Sequence, residues 1–482
     1  MIPLLSRLSG YMLLGMAVGM TLPLAVSLLS ADGAQFSILL SATIFVCLGL
    51  LLRNIWGRKA IYRIQPRNSF WITALLWILI PITGSIPYMA SGAVSSFTDA
   101  AFESFSGFTT TGATIFDYPE HLPPSLMLYR SMTQWIGGLG LILFLIAILK
   151  RLNIGTFNLY SAEFSGTLQR KLHPHISVSV HRLWLIYSLL TLLCFTALYF
   201  CGTRPLDALC LALSTISSGG FMTHSLGAAT LGTTAQYVLS VFMTLSAINL
   251  ALLFNFFFFR WRDLHRNEEF FHFVILFITA YLLSAFCLIH AGNPLPWSLR
   301  YAFFHIAATT STCGFVTSAP VHWPVALSAL TFVLMIIGSC SGSTGGGLKL
   351  KRIIILRKYL FNYILGIIHP KLITSVKIDD TTIQPQYINK ILAFLFLYFV
   401  FIIVAAFIIV LSGYDIPNAI SLAIANIGNL GPSPLLHNLG NPIDYPTLAP
   451  LVKWTLIILM VAGRVEIFVL LAVFSPSYWK KQ

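Results

Sequence analysis

Long apolar runs alternate with short polar loops along almost the whole chain. They cover about 10–30, 36–52, 69–90, 125–149, 183–201, 235–259, 272–290, 325–348, 390–412 and 450–474. Each is long enough for an α-helix rising ~1.5 Å per residue to cross a hydrocarbon layer of ~30 Å. Between four pairs of these runs lies a shorter apolar stretch of about 10–12 residues, too short to cross, which ends in Thr, Ser or Gly. The pattern predicts an all-α polytopic membrane protein with ten spanning helices and four short re-entrant ones. An even number of spans places both termini on one side.

The short stretches repeat one another. Asp99 lies 13 residues before Gly112, Asp207 13 before Gly220, and Asp415 13 before Gly428; a fourth copy runs from Tyr301 to Gly314. Four pseudo-symmetric units of helix, short helix and helix are therefore expected, over 69–150, 183–260, 270–368 and 388–476, after two extra helices in 1–53. The aspartates suit N-caps, where a carboxylate accepts backbone N–H bonds at the positive end of the helix dipole. Irregular backbone at membrane depth is tolerated only inside protein or against a water-filled cavity. Four copies around one axis would turn their carbonyls toward a common pore and replace the water of a dehydrated cation. The candidate ion-binding backbone is Thr110, Thr111 and Gly112; Ser218, Gly219 and Gly220; Thr312, Cys313 and Gly314; and Asn426, Ile427 and Gly428. Glycine supplies the backbone freedom and close approach that such a filter needs. Helix-contact glycines are the plainer alternative.

Composition agrees. The chain has 482 residues, 57% hydrophobic and 9% charged, against about 25% charged in a soluble domain. The net charge of +14 would suggest nucleic acid in a soluble protein, but its placement argues for a bilayer instead. Lys and Arg collect in the termini and in loops 53–67, 150–182, 260–266 and 349–390, alternating with loops nearly free of them. The positive-inside rule makes those loops, and both termini, cytoplasmic. No nucleic-acid partner is expected, and the basic loops suit anionic lipid. Seven cysteines without a CxxC argue against a disulfide framework or structural zinc. The run at 11–29 is long enough to be a retained span rather than a signal peptide.

Two further features lie within apolar runs. Val325–Ile337 is apolar for 13 residues, roughly 20 Å at helical rise, and then gives way to Gly338-Ser-Cys-Ser-Gly342-Ser-Thr-Gly345-Gly346-Gly347. The glycine-rich piece should sit at membrane depth below the filter, as a mobile gate with Gly338, Gly342, Gly345, Gly346 and Gly347 as hinges, or as a simple packing break. It is not a Walker A loop, because Leu348-Lys349-Leu350 follows Gly347. It is not a nucleophile elbow, because Cys340 stands where serine is needed. Arg464 in the last apolar run is costly unless it faces a cavity or partner. It is read as a pore-facing barrier beside the gate, with snorkelling to the interface as the alternative; the role of Glu466 stays open. Asp117, Glu120, Asp415 and Asp444 are candidates for a cation-concentrating mouth. His305 reads as a packing residue rather than a proton carrier.

The stretches FTTTGAT (108–114), STISSGGF (214–221), TSTCGF (310–315), NIGNLGP (426–432), GSTGGGLK (342–349) and GRVEIF (463–468) resemble the Trk/Ktr/HKT superfamily of potassium transporters, and most closely its bacterial Trk-type membrane subunits. The likeness covers nearly the whole chain, including the two extra N-terminal helices. It implies potassium as transported ion with no cofactor in this chain, a homodimer, a cytosolic ring of nucleotide-binding regulatory subunits, and a place in the bacterial cytoplasmic membrane. In the wider family serine at the first filter glycine accompanies sodium transport; Gly112 therefore favours potassium. Ser217-Ser218, Cys313 and Asn429 depart from the usual residues but keep backbone oxygens in place. The expected function is potassium uptake through a carbonyl filter gated by the intramembrane loop and the cytosolic partner. A proton- or sodium-coupled symporter working by alternating access is the second reading. An intramembrane enzyme lacks a paired nucleophile and base.

Overall fold

The computed structural model of the protein describes residues 2–56, 66–141, 176–258, 266–317, 324–370, 375–379, 381–431, 445–465 and 467–474. Most of the basic loops 53–67 and 150–182 falls outside these residues, as do 260–265, Asp444, Glu466 and the C-terminal tail.

The regular secondary structure of the described residues is almost entirely helical. α1 (Ile2–Gly19) and α2 (Thr21–Ser30) form one span that returns as α3 (Gln35–Leu51). α1 and α3 touch backbone to backbone, since a Cβ on Gly10 would lie 2.7 Å from Gly49 O. Small residues at such crossings let membrane helices approach closely.

Four units follow. The first holds α4 (Pro66–Gly84), α5 (Ile86–Ala90), α6 (Phe97–Phe108) and α7 (Pro124–Leu139). The second holds α8 (Ile176–Phe200), α9 (Pro205–Ile216), α10 (Thr233–Ser246) and α11 (Leu250–Phe257). The third holds α12 (Glu268–His290), α13 (Leu295–Thr310), α14 (Val325–Ile337) and α15 (Leu350–Ile368). A two-stranded antiparallel ribbon, β1 (Lys377–Ile378) and β2 (Thr381–Thr382), pairs Lys377 with Thr382. The fourth unit holds α16 (Pro385–Leu411), α17 (Ile416–Ile427), α18 (Pro450–Val465) and α19 (Ile467–Phe474).

Six helical segments among the described residues are long and apolar enough to cross a membrane: Pro3–Ser30, Gln35–Ile55, Ser69–Ala90, Val180–Phe200, Glu268–His290 and Pro385–Leu411. Their outer faces carry exposed Phe286, Ile403 and Phe407, the arrangement expected where lipid replaces water. The short helices α6, α9, α13 and α17 lie at the centre. Residues Ala100–Phe108 of α6 are buried without a break, which marks a helix surrounded by protein on all sides.

The sequence suggested a broken helix only after the third short segment. Among the described residues the structure also breaks the helices after the first and second segments. α7 stops at Gly140 (φ 101°) and α14 at Gly338 (φ 69°). α10 bends by 108° into α11, where Asn249 caps the new helix by accepting from Ala251 N and Leu252 N. An apolar run hides such a bend, because the freed backbone groups find partners inside the protein.

Candidate functional site

The four central helices end identically. The N–H of Thr111 donates to Ser106 O (2.9 Å), Gly219 to Ser214 O (2.8 Å), Cys313 to Ala308 O (3.0 Å) and Leu430 to Ala425 O (2.9 Å). One residue earlier, Thr110 donates to Gly107 O (3.0 Å), Ser218 to Thr215 O (3.1 Å), Thr312 to Thr309 O (3.1 Å) and Asn429 to Asn426 O (3.2 Å). This pair of bonds is a Schellman cap, which needs a left-handed residue just past the helix. Thr110 (φ 56°), Ser218 (56°), Thr312 (58°) and Asn429 (53°) fill that place, where glycine is usual. A β-branched residue there is strained by roughly 1–3 kcal/mol, and such strain clusters at functional sites. Two residues further on come Gly112, Gly220, Gly314 and Gly431, all with positive φ.

The fourth segment is thereby shifted from the register read in the sequence. Gly428 has φ −77° and is the C-cap of α17, equivalent to Thr109, Ser217 and Ser311. Asn426 and Ile427 are the last helical residues, and the irregular backbone is Asn429-Leu430-Gly431. The aspartates misled the alignment. Asp99 and Asp207 are the third residues of α6 and α9, whereas Asp415 precedes α17, so Asn418 is their counterpart. Nor does any of the three cap a helix through its side chain. Asp99 instead accepts from Lys453 Nζ at 2.6 Å, tying the first unit to the fourth.

The segments meet edge to edge. A Cβ on Gly112 would lie 2.4 Å from Gly219 O, on Gly220 2.1 Å from Cys313 O, and on Gly431 2.3 Å from Thr111 O. In each case a glycine abuts the carbonyl just before the equivalent glycine of the next segment, in the order four, one, two, three. Backbone contact of this kind favours glycine at all three positions, for φ and for space, and a side chain there would have to displace the neighbouring carbonyl. The capping residues and the backbone around them are buried and carry no charge.

Polar side chains behind the segments hold them, and apart from Asn429 the sequence did not single these out. Gln134 donates through Nε2 to Gly219 O (2.7 Å), while its Oε1 accepts from Ser214 Oγ (2.7 Å) and Phe221 N (3.3 Å). Asn429 Nδ2 donates to Thr111 Oγ1 and Met460 O, both at 3.0 Å. The ion pair Arg130–Glu103 (2.7 Å) is buried behind the first segment. A glutamine or arginine in a half-apolar helix gives no sign of its target in sequence, because the partner lies 27 to 85 residues away.

The glycine-rich loop lies against the inner ends of the central helices. Gly346 N donates to Thr312 Oγ1 (2.8 Å), and Thr344 Oγ1 pairs with Ser218 Oγ (2.8 Å) and donates to Ile216 O (3.0 Å). Cβ atoms on Gly345 and Gly346 would lie 2.6 Å from Ser311 O and 2.3 Å from Gly428 O. Gly338, Gly342 and Gly347 turn the chain at φ 69°, 78° and 81°. Arg464 points inward: Nη1 donates to Thr344 O (2.6 Å), and Nη2 to Gly137 O (2.7 Å) and Gly138 O (2.6 Å). From the other side Glu269 Oε1 accepts from Ser341 N (2.6 Å) and Lys351 N (3.1 Å), Asn249 Nδ2 donates to Ser341 O (2.7 Å), and Lys349 Nζ reaches Gly345 O.

Other candidates are less concentrated. Glu120 is held by Ser225 N (2.8 Å) and Ser225 Oγ (2.6 Å). His305 is buried, with Nε2 2.7 Å from Thr331 Oγ1. Among the described residues no group of His, Cys, Asp and Glu is placed to hold a metal ion through side chains.

A multi-pass helical bundle wrapped around four matched re-entrant segments defines a membrane transport protein. The family model of TrkH, described as a cation transport protein, matches residues 35–481, and the chain belongs to that family. It is a family of transporters rather than of enzymes. Relatives include the Trk system potassium uptake protein TrkH of Halomonas elongata, 34% identical and covering 98% of both chains. The protein of that name in Escherichia coli (strain K12) is 33% identical over 99% of both, and the Trk system potassium uptake protein TrkG of that strain is 30% identical over 98% of this chain. The crystal structure of the potassium transporter TrkH from Vibrio parahaemolyticus superposes with a TM-score of 0.87, at 30% identity and 99% coverage of each chain.

Proposed function

We propose that this chain is the ion-conducting membrane subunit of a potassium uptake system in the bacterial cytoplasmic membrane. The observation that carries this reading is the fourfold repetition of one strained cap followed by one glycine. The backbone of Thr110–Gly112, Ser218–Gly220, Thr312–Gly314 and Asn429–Gly431 supplies the oxygens that replace the ion's water. Uncharged backbone dipoles suit a monovalent ion that must both enter and leave. Glycine rather than serine at Gly112, and the potassium in the names of its relatives, favour potassium.

The loop Gly338–Gly347 acts as the gate. It lies directly beneath the segments and is held by hydrogen bonds from Arg464, Lys349 and Asn249. Opening requires those bonds to exchange partners together, which suits control by a cytosolic nucleotide-binding partner. The working unit on this reading is a homodimer with a regulatory ring, as the family resemblance implies.

The test is flux through the purified chain in liposomes. Rubidium or potassium is expected to move down its own gradient and to respond to membrane voltage, with sodium moving at least about tenfold more slowly, a difference of ~1.4 kcal/mol in site preference. Net potassium movement driven by a pH or sodium gradient alone would instead establish coupled symport.

A further inference from the structure

Counting from the filter glycine and from the start of the helix that follows places the same pair of positions behind each segment. Nine residues before Gly112, Gly220, Gly314 and Gly431 stand Glu103, Leu211, His305 and Leu422. The seventh residues of α7, α10, α14 and α18 are Arg130, Leu239, Thr331 and Leu456. In the first unit the pair is an ion pair at 2.7 Å, in the third a hydrogen bond at 2.7 Å, and in the second and fourth two buried leucines. The fourfold ring thus alternates between polar and apolar supports.

The first pair reaches furthest. The Glu103 carboxylate is fully buried. It accepts from Arg130 Nε, from Thr114 Oγ1 at 3.0 Å, and from Ile115 N at 2.9 Å. Arg130 Nη2 donates to Thr114 Oγ1 at 2.9 Å, and its guanidinium lies 4.2 Å from the ring centre of Phe221. Thr114 and Ile115 follow Gly112, and Phe221 follows Gly220. The pair therefore grips the segment ends just past the first two filter glycines. A buried ion pair adds little net stability over packed apolar residues of similar volume, and the leucine pairs of units two and four stand in the same place. Bulk stability does not explain its use here.

We infer that Glu103 and Arg130 are positioning residues that hold the first two filter segments at the spacing which discriminates between alkali ions. This rests on the filter reading given above. Removing one partner leaves a buried charge, so Glu103→Leu or Arg130→Leu alone is expected to lower expression and melting temperature. The informative variant is Glu103→Leu/Arg130→Leu, which copies the supports of units two and four. It should fold with a melting temperature near the parent's and conduct, yet lose potassium-over-sodium preference by about tenfold, since Thr114 and Ile115 N lose their acceptor. Arg130→Lys keeps the charge without the two-pronged donor set and should fall between the two. Fluxes are measured with the full-length chain in liposomes, with Gly112→Ser as a control on the filter itself. If Gly112→Ser changes selectivity while the double-leucine chain keeps the parent's ratio, the positioning role is wrong and the filter reading stands. If neither changes it, both are wrong.

Discussion

Thr110, Ser218, Thr312 and Asn429 each hold a left-handed conformation that glycine would adopt without strain. The surrounding hydrogen bonds and the neighbouring segments over-determine that conformation, so the strain is carried by the fold rather than relieved. The same logic separates two glycines of the fourth segment. At Gly431 a Cβ would strike Thr111 O at 2.3 Å on a backbone of φ 78°, whereas at Gly428 the nearest atoms are 3.0 and 3.4 Å away on an ordinary helical backbone. Gly431→Ala is therefore expected to abolish flux, and Gly428→Ala to keep most of it. Flux assays on the two single variants check this; the opposite order would restore the register first read from sequence.

At the scale of elements, the helices that follow the first three short segments break, and the glycine-rich loop occupies the break of the third. Arg464 supplies donors to three carbonyls, on the loop and on the end of α7. Arg464→Ala strips them all, at about 1–3 kcal/mol for a buried group left unsatisfied. Ungated flux should rise severalfold while the melting temperature falls. Asn249 joins the loop to the bend between α10 and α11. Asn249→Ala removes an N-cap, at about 1 kcal/mol, and should likewise raise basal flux. Leak currents in the absence of any regulatory partner measure both effects, and a parent-like leak in both variants would mean that the loop is not the barrier.

Across the whole molecule, the first and fourth units are joined by Lys453 and Asp99, 354 residues apart. Lys453 is nearly buried and its other acceptor is Pro446 O. Asp99→Asn leaves that cation without a carboxylate and is expected to destabilise the bundle by about 1–3 kcal/mol, since the aspartate is partly exposed. Thermal unfolding in detergent should show the drop, and Asp99→Glu should recover part of it.

Hydropathy alone specified a multi-pass helical protein, because a span needs about twenty apolar residues and the chain has runs of that length. The repeated Thr/Ser/Gly stretches located four irregular segments, and Val325–Gly347 announced one broken helix. These are local properties, and local order along the chain encodes them. The register of the fourth segment was not local in this sense: Asp415 and Gly428 imitate the spacing of the other units, and only the backbone caps and the contact of Gly431 with Thr111 O reveal the offset. The supports behind the four central segments, Gln134 on Gly219 and Arg130 on Glu103, likewise depend on which helices cross. Polar groups buried in protein must find partners, but which partner each finds is set by the packing of distant segments, and no stretch of sequence carries that information by itself.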